Sequence, residues 1–185
     1  MRFLPLELEG VVLVEPTVHH DPRGLFLETY HQWKYQEGGI RETFVQDNRS
    51  QSVRGTLRGL HAQRLQPQGK LVLAVSGEIF DVAVDVRRGS PTFGRWVSAI
   101  LSGTNFRQLY VPPGFVHGFC VLSETAEVEY KVTDFYAPHD ELAVLWNDPE
   151  IGIEWPIRDP VVSDKDLRAP RLAEILHLLP EHEHA

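Results

Sequence analysis

Short apolar runs of β type, each closed by Gly, Pro, Ser or Asn, recur along most of this chain and restrict what it can become. They lie at residues 11–14, 43–46, 70–75, 79–86, 96–101, 108–111, 116–122 and 125–133. Runs this short, with no amphipathic helices alternating between them, build antiparallel sandwiches or barrels and not β-α-β units. Ser76-Gly77 separates two of the runs and reads as a hairpin turn, and Pro112-Pro113-Gly114 punctuates another pair. Helical signals are confined to a turn at 33–36 and to Leu172, Ile175, Leu176 and Leu179, a helical stripe near the C-terminus. Residues 181–185 read as a solvated tail. At 185 residues the chain is long enough for one well-buried core and carries no internal repeat or linker, so a single domain over 1–185 is expected.

Charge and cysteine content narrow the functional classes. The formal net charge of -8 at pH 7 argues against a nucleic-acid binder, because long-range attraction to phosphate polyanions needs the opposite sign. No stretch approaches the roughly 18 apolar residues of a membrane span. The N-terminal residues lack a cleavable-signal pattern, so a cytoplasmic protein acting away from membranes is expected. Cys120, the only cysteine, sits in an apolar run; no intrachain disulfide is possible, and a buried structural thiol is expected.

Three stretches hold residues able to carry chemistry. In Arg58-Gly59-Leu60-His61-Ala62-Gln63, simple strand alternation puts Arg58 and His61 on opposite faces; a bulge at Gly59 would bring them to one face. Lys70 follows at the start of the next strand. In the run 125–132, Ala126, Val128, Tyr130 and Val132 share one face while Glu127, Glu129 and Lys131 share the other, so Tyr130 points toward the core or a cavity in it. His117 lies in a strand apolar on both faces, where a polar ring demands a partner. Each has an ordinary alternative: a satisfied structural histidine, or a core tyrosine whose hydroxyl meets a backbone group.

Histidines in a small β-barrel also raise the question of a metal. Such a site wants a close His cluster with a nearby carboxylate. Position 63 is Gln, no carboxylate follows soon after His61, and His19-His20 precede the turn Asp21-Pro22-Arg23-Gly24. No metal and no cofactor are expected.

Taken together, these blocks resemble the dTDP-4-dehydrorhamnose 3,5-epimerase family over nearly the whole chain. The matching stretches run in family order from Asp21-Pro22-Arg23-Gly24 through Phe44-Val45-Gln46-Asp47-Asn48 and the Arg58–Gln63 motif. They continue through 77–85, 90–94, 113–119 and 130–138 to Ile153-Glu154-Trp155-Pro156 and Ser163-Asp164-Lys165-Asp166. The resemblance implies an all-β, cupin-type antiparallel jelly roll with short peripheral helices and a C-terminal helix. It implies a metal-free homodimer that inverts C3 and C5 of a dTDP-4-keto-6-deoxyhexose through an enolate. By the same resemblance His61 is the base, Asp166 orients its ring, Tyr130 is the proton donor on the other face, and Lys70, with Arg58, stabilises the enolate oxygen. Arg23 resembles a diphosphate contact, and Glu28, Gln46 and Asn48 resemble contacts to the nucleotide end, with Arg23 and Glu28 serving the partner subunit's site. His117, Glu141 and Lys165 match further ligand-contacting positions, and Tyr136 resembles an aromatic that stacks on the base. Ala62 stands where many relatives carry an aromatic, and 64–67 departs from the pattern without removing a proposed acid, base or charge.

Three other readings use the same residues. One is a C3-only or C5-only epimerase of a secondary-metabolite deoxysugar pathway. Another is a non-catalytic sugar-nucleotide-binding cupin, which would not need an opposed acid and base. The third is a metal-dependent cupin isomerase, which lacks its ligand cluster.

Overall fold

A computed structural model describes residues 1–182. In chain order the strands begin β1 (Arg2–Pro5), β2 (Val12–Glu15), β3 (Val18–Asp21) and β4 (Gly24–Leu27), followed by helix α1 (Gln32–Glu37). Next come β5 (Gln46–Val53), β6 (Thr56–Gln63), β7 (Lys70–Ser76), β8 (Glu78–Asp85) and β9 (Trp96–Ser102). The chain continues with β10 (Gln108–Val111), β11 (Phe115–Val121), β12 (Thr125–Val132), β13 (Glu141–Ala143), β14 (Val161–Val162) and helix α2 (Asp164–Leu167). Two sheets face each other, ordered β1-β2-β10-β7-β12-β5 and β13-β6-β11-β8-β9; β14 joins the second by parallel pairing with β6. The other pairings between these strands are antiparallel, giving the expected jelly roll. The hairpin β3–β4 stands apart as its own two-stranded sheet.

Alternation decides what enters the space between the sheets. On β7, Val72 and Ala74 join the central core with Ile79 and Ala83 of β8, Phe115 and Phe119 of β11, and Ala126 and Val128 of β12. Their alternates point outward and are covered in turn. Leu71 and Tyr110 pack beneath Tyr35 of α1, while Val82, Val84 and Val116 pack beneath Leu172, Ile175 and Leu179 of the C-terminal segment. With both faces of β11 covered, all seven of its residues are buried, which is why its sequence is apolar without a period. Each fully buried Val, Leu, Ile or Phe side chain contributes about 1.5–3 kcal/mol by leaving water.

Four local expectations need correction. Ser76-Gly77 is not a hairpin turn: β7 pairs with β10 and β12, and β8 with β11 and β9, so this is a corner where the chain changes sheets. Gly77 is required there, since its φ is +73° and a Cβ would lie 2.1 Å from the Thr125 carbonyl oxygen. The strand expected at 43–46 begins at Gln46 instead, although Val45 still donates to the Val132 carbonyl at 2.9 Å. The C-terminal stripe is a 3₁₀ segment, Leu172–Leu178, whose tighter repeat turns Leu176 outward to 43% exposure while Leu172 and Ile175 stay buried. Of the expected tail, Glu181 bridges and ion-pairs Arg88, and 183–185 lie outside the described residues.

Candidate active site

A cavity of about 630 Å³ opens between the sheets, within the range of small-molecule sites. Its position follows from polar residues substituted into the inward-facing rows. Lys70 begins the inward row of β7, Tyr130 belongs to that of β12, Gln46, Asn48 and Ser50 alternate on β5, and His117 lies between Phe115 and Phe119 on β11. Lys70 and Tyr130 therefore come from the first sheet, and His61, Arg58 and His117 from the second.

The expected bulge at Gly59 is present in the register. Phe119 pairs with Arg58 and His117 with His61, so three steps along β6 match two along β11. The extra residue carries Arg58 and His61 to the same side, and both line the cavity. Gly59 is obligatory at this point: its φ is +123°, and a Cβ would lie 2.6 Å from the Gly118 Cα.

His61 Nε2 meets Asp166 Oδ1 at 2.6 Å. Asp166 is 4% exposed on α2, a one-turn helix capped by Ser163, whose hydroxyl accepts from the Asp166 amide at 3.2 Å. Burial raises the Asp166 carboxyl's pKa, but hydrogen bonds from His61 and Ser163 outweigh it and hold the group below the ordinary carboxylate value. The pairing of β14 with β6 brings α2 beneath His61. Glu141 Oε1 lies 3.9 Å from the same imidazole nitrogen.

Lys70 is buried, and its ammonium donates to the His61 carbonyl at 3.0 Å. Burial pulls its pKa down to about 8, opposed by the charges of Asp81 and Glu141. His117 Nε2 meets Asp81 Oδ1 at 2.8 Å, and Asp81 is fully buried on the inward row of β8. Burial raises the Tyr130 phenol's pKa and the nearby Arg58 charge pulls against it, so the hydroxyl keeps its proton at neutral pH. Arg58 is steadied by Nε donating to Ser52 at 3.2 Å.

Of the expected substrate contacts, Gln46, Asn48, Arg58, His117, Tyr136, Glu141 and Lys165 all line this cavity with His61, Lys70, Tyr130 and Asp166. Lys165 pairs with Glu141, and the Tyr136 hydroxyl donates to the same carboxylate at 3.4 Å. Arg23 and Glu28 are not there. Arg23 is on the β3–β4 turn, paired with Asp21 at 2.5 Å, beside a separate shallow hollow, and Glu28 pairs with Lys34 at 2.7 Å. Sequence reasoning missed Asp81, Ser163 and Ser52. Asp81 had a readable signal, an acid inside the apolar run 79–86 on the face of Ile79 and Ala83. Among the described residues no group of three His, Cys, Asp or Glu side chains converges as a metal-ion set. Gln63 makes its bonds to backbone. No helix among the described residues is long and apolar enough to cross a membrane.

The profile of the dTDP-4-dehydrorhamnose 3,5-epimerase family matches residues 5–174. The chain belongs to that family. It is 54% identical to the Pseudomonas aeruginosa dTDP-4-dehydrorhamnose 3,5-epimerase over 94% of this chain and 97% of the relative. Its fold matches that of the Legionella pneumophila dTDP-6-deoxy-D-glucose-3,5-epimerase, solved in complex with dTDP-4-keto-L-rhamnose. That match has TM-score 0.96 and 47% identity and covers 99% of both chains. A more distant relative, 42% identical over 94% of this chain and 85% of its own, is the dTDP-4-dehydrorhamnose 3-epimerase of Streptomyces niveus. The family member described here is thus an epimerase with a jelly-roll cavity.

Proposed function

We propose that this epimerase inverts C3 and C5 of a dTDP-4-keto-6-deoxyhexose, converting dTDP-4-dehydro-6-deoxyglucose to dTDP-4-dehydrorhamnose. The observation that carries the reading is the opposition, across one cavity, of the Asp166-supported His61 on one sheet and Tyr130 on the other. The C4 ketone acidifies the hydrogens on C3 and C5. His61 removes one as a proton, and the C–H electron pair moves into an enolate whose oxygen charge is met by Lys70 and Arg58. Tyr130 returns a proton to the opposite face of the same carbon, which inverts it. His61 then loses its proton to water and the Tyr130 phenolate regains one, so the enzyme is reset. Repetition at the second carbon completes the reaction.

Asp166 holds the His61 ring and balances its positive charge after proton abstraction. Gln46, Asn48, Tyr136, Glu141, Lys165 and His117 hold the nucleotide sugar. Arg23 and Glu28 act in the cavity of a partner subunit: the β3–β4 hairpin that carries Arg23 stands off both sheets and leaves Phe26 72% exposed, a surface suited to a second copy. The reaction needs no metal, since enolate charge is met by fixed cations; exhaustive chelation should leave activity intact. The enzyme works in the cytoplasm.

A single-centre epimerase is the second reading, motivated by the name of the Streptomyces relative. Incubation with dTDP-4-keto-6-deoxyglucose in heavy water separates the two. Deuterium at both C3 and C5 with inverted configuration supports the first, deuterium at one carbon the second. No incorporation at either carbon defeats both.

A further inference from the structure

We infer that Gln63 is a positioning residue for nucleotide binding, acting through Tyr136; the inference rests on the proposed role of Tyr136 as the ring that meets the base. Gln63 ends β6 and is 5% exposed. All its amide bonds go to the backbone of two loops at the cavity rim, 64–69 and 133–140. Its Nε2 donates to the Gln66 carbonyl at 2.8 Å and to the Phe135 carbonyl at 3.1 Å, and its Oε1 accepts from the Ala137 amide at 2.8 Å. Residues 135 and 137 flank Tyr136, whose own amide donates to Gln46 Oε1 at 3.1 Å. The two peptide units that flank the Tyr136 Cα are thus held by two glutamine side chains. Asp140 adds a second stitch by accepting from the amides of Leu65 and Gln66, each at 2.8 Å from Oδ2.

Tyr136 itself is 54% exposed. A ring so open gets little orientation from packing, so its direction is set by the backbone beneath it and by its hydroxyl's 3.4 Å bond to Glu141. Fixing that backbone before a base arrives removes the ordering cost from binding. Gln63 does this without being a proton donor or acceptor in the reaction, and a glutamine suits the task because one amide both donates twice and accepts.

The test is a double-variant cycle read by calorimetric titration with dTDP. Tyr136→Ala should weaken dTDP about five- to a hundredfold, the usual range for one stacked base. Gln63→Glu, which cannot donate to both carbonyls, and Gln63→Met, which keeps the length but makes no such bonds, should each weaken it about three- to tenfold. Adding either Gln63 change to Tyr136→Ala should cost less than about twofold more, since the two act as one unit. In turnover, both Gln63 variants should raise KM and leave kcat nearly unchanged. Independent, multiplying losses in the double variants, or parental affinity in both single Gln63 variants while Tyr136→Ala is weak, overturns the inference alone. Parental affinity in Tyr136→Ala overturns the stacking role and the inference with it. The two Gln63 variants are checked together by amide hydrogen exchange: faster exchange at 136 and 137 in the free protein is expected, and unchanged exchange in both refutes the clasp.

Discussion

His61 and His117 stand directly opposite one another on β6 and β11, and each ring is bonded to its own buried carboxylate, Asp166 at 2.6 Å and Asp81 at 2.8 Å. The two pairs differ in access. The His61 side chain is 31% exposed and that of His117 only 9%, so His61 is the more accessible of the two rings. Its carboxylate comes from 105 residues away, whereas Asp81 comes from the adjacent strand of the same sheet.

On the proposed mechanism, His61→Ala should abolish deuterium exchange at both sugar carbons, by at least about a hundredfold. Asp166→Asn keeps the shape but removes the charge that balances the imidazolium, and should slow exchange at both carbons together. Proton NMR of the sugar in heavy water reads both; normal exchange in His61→Ala would remove it as the base.

Tyr130→Phe retains the ring and its packing against the central core and loses only the phenol. Exchange from the His61 side should persist while net inversion falls. Measuring washout and stereochemistry in the same sample tests this, and parental inversion rates would return Tyr130 to a structural role.

The pH profile carries a signature of Lys70, whose pKa burial pulls from 10.5 to about 8. The cation exists below that value, so activity should fall as pH rises through about 8. Stability responds oppositely. Between 8 and 10.5 the unfolded chain holds a proton at this residue that the folded chain has released, so Lys70's own contribution to stability rises with pH in that window. Denaturant melts of the parent and of Lys70→Met across that range isolate it: the parent's stability relative to the variant should rise with pH, and a relative stability that falls or stays flat would contradict the assignment.

Gly59→Ala forces a Cβ to within 2.6 Å of the Gly118 backbone at a φ of +123°. Destabilisation should exceed about 1 kcal/mol, a fall in Tm of about 2–4 °C or more. Residual folded protein should be inactive, with Arg58 and His61 no longer on one side.

Sedimentation should show a dimer at micromolar concentration. Arg23→Ala, at an exposed side chain paired only with neighbouring Asp21, should leave Tm within a degree or so of the parent but raise KM. An active monomer with Arg23 dispensable would refute its service to a partner.

Much of this site was legible because strands encode facing directly. Tyr130 points inward as period two requires, and the conflict between Arg58 and His61 marked Gly59 as the place where a bulge would bring them to one face. What escaped was non-local. Strand alternation does not say which sheet a strand joins, so the Ser76-Gly77 corner passed for a hairpin. Nothing around Asp166 announces a partner in β6; that pairing entered through family resemblance and then appeared in the geometry. Asp81 was overlooked because an acid in an apolar run looks like an interruption until its inward row is drawn.

The late position of α2 has a consequence for how the molecule comes into being. Every other strand that lines the cavity is made before Val161, yet the carboxylate behind His61 arrives only when β14 lies down beside β6. A nascent or clipped chain ending before that strand would hold the base in place without its counter-charge. The His61–Asp166 pair is therefore completed only after the strands that carry His61, Lys70 and Tyr130 have all been made.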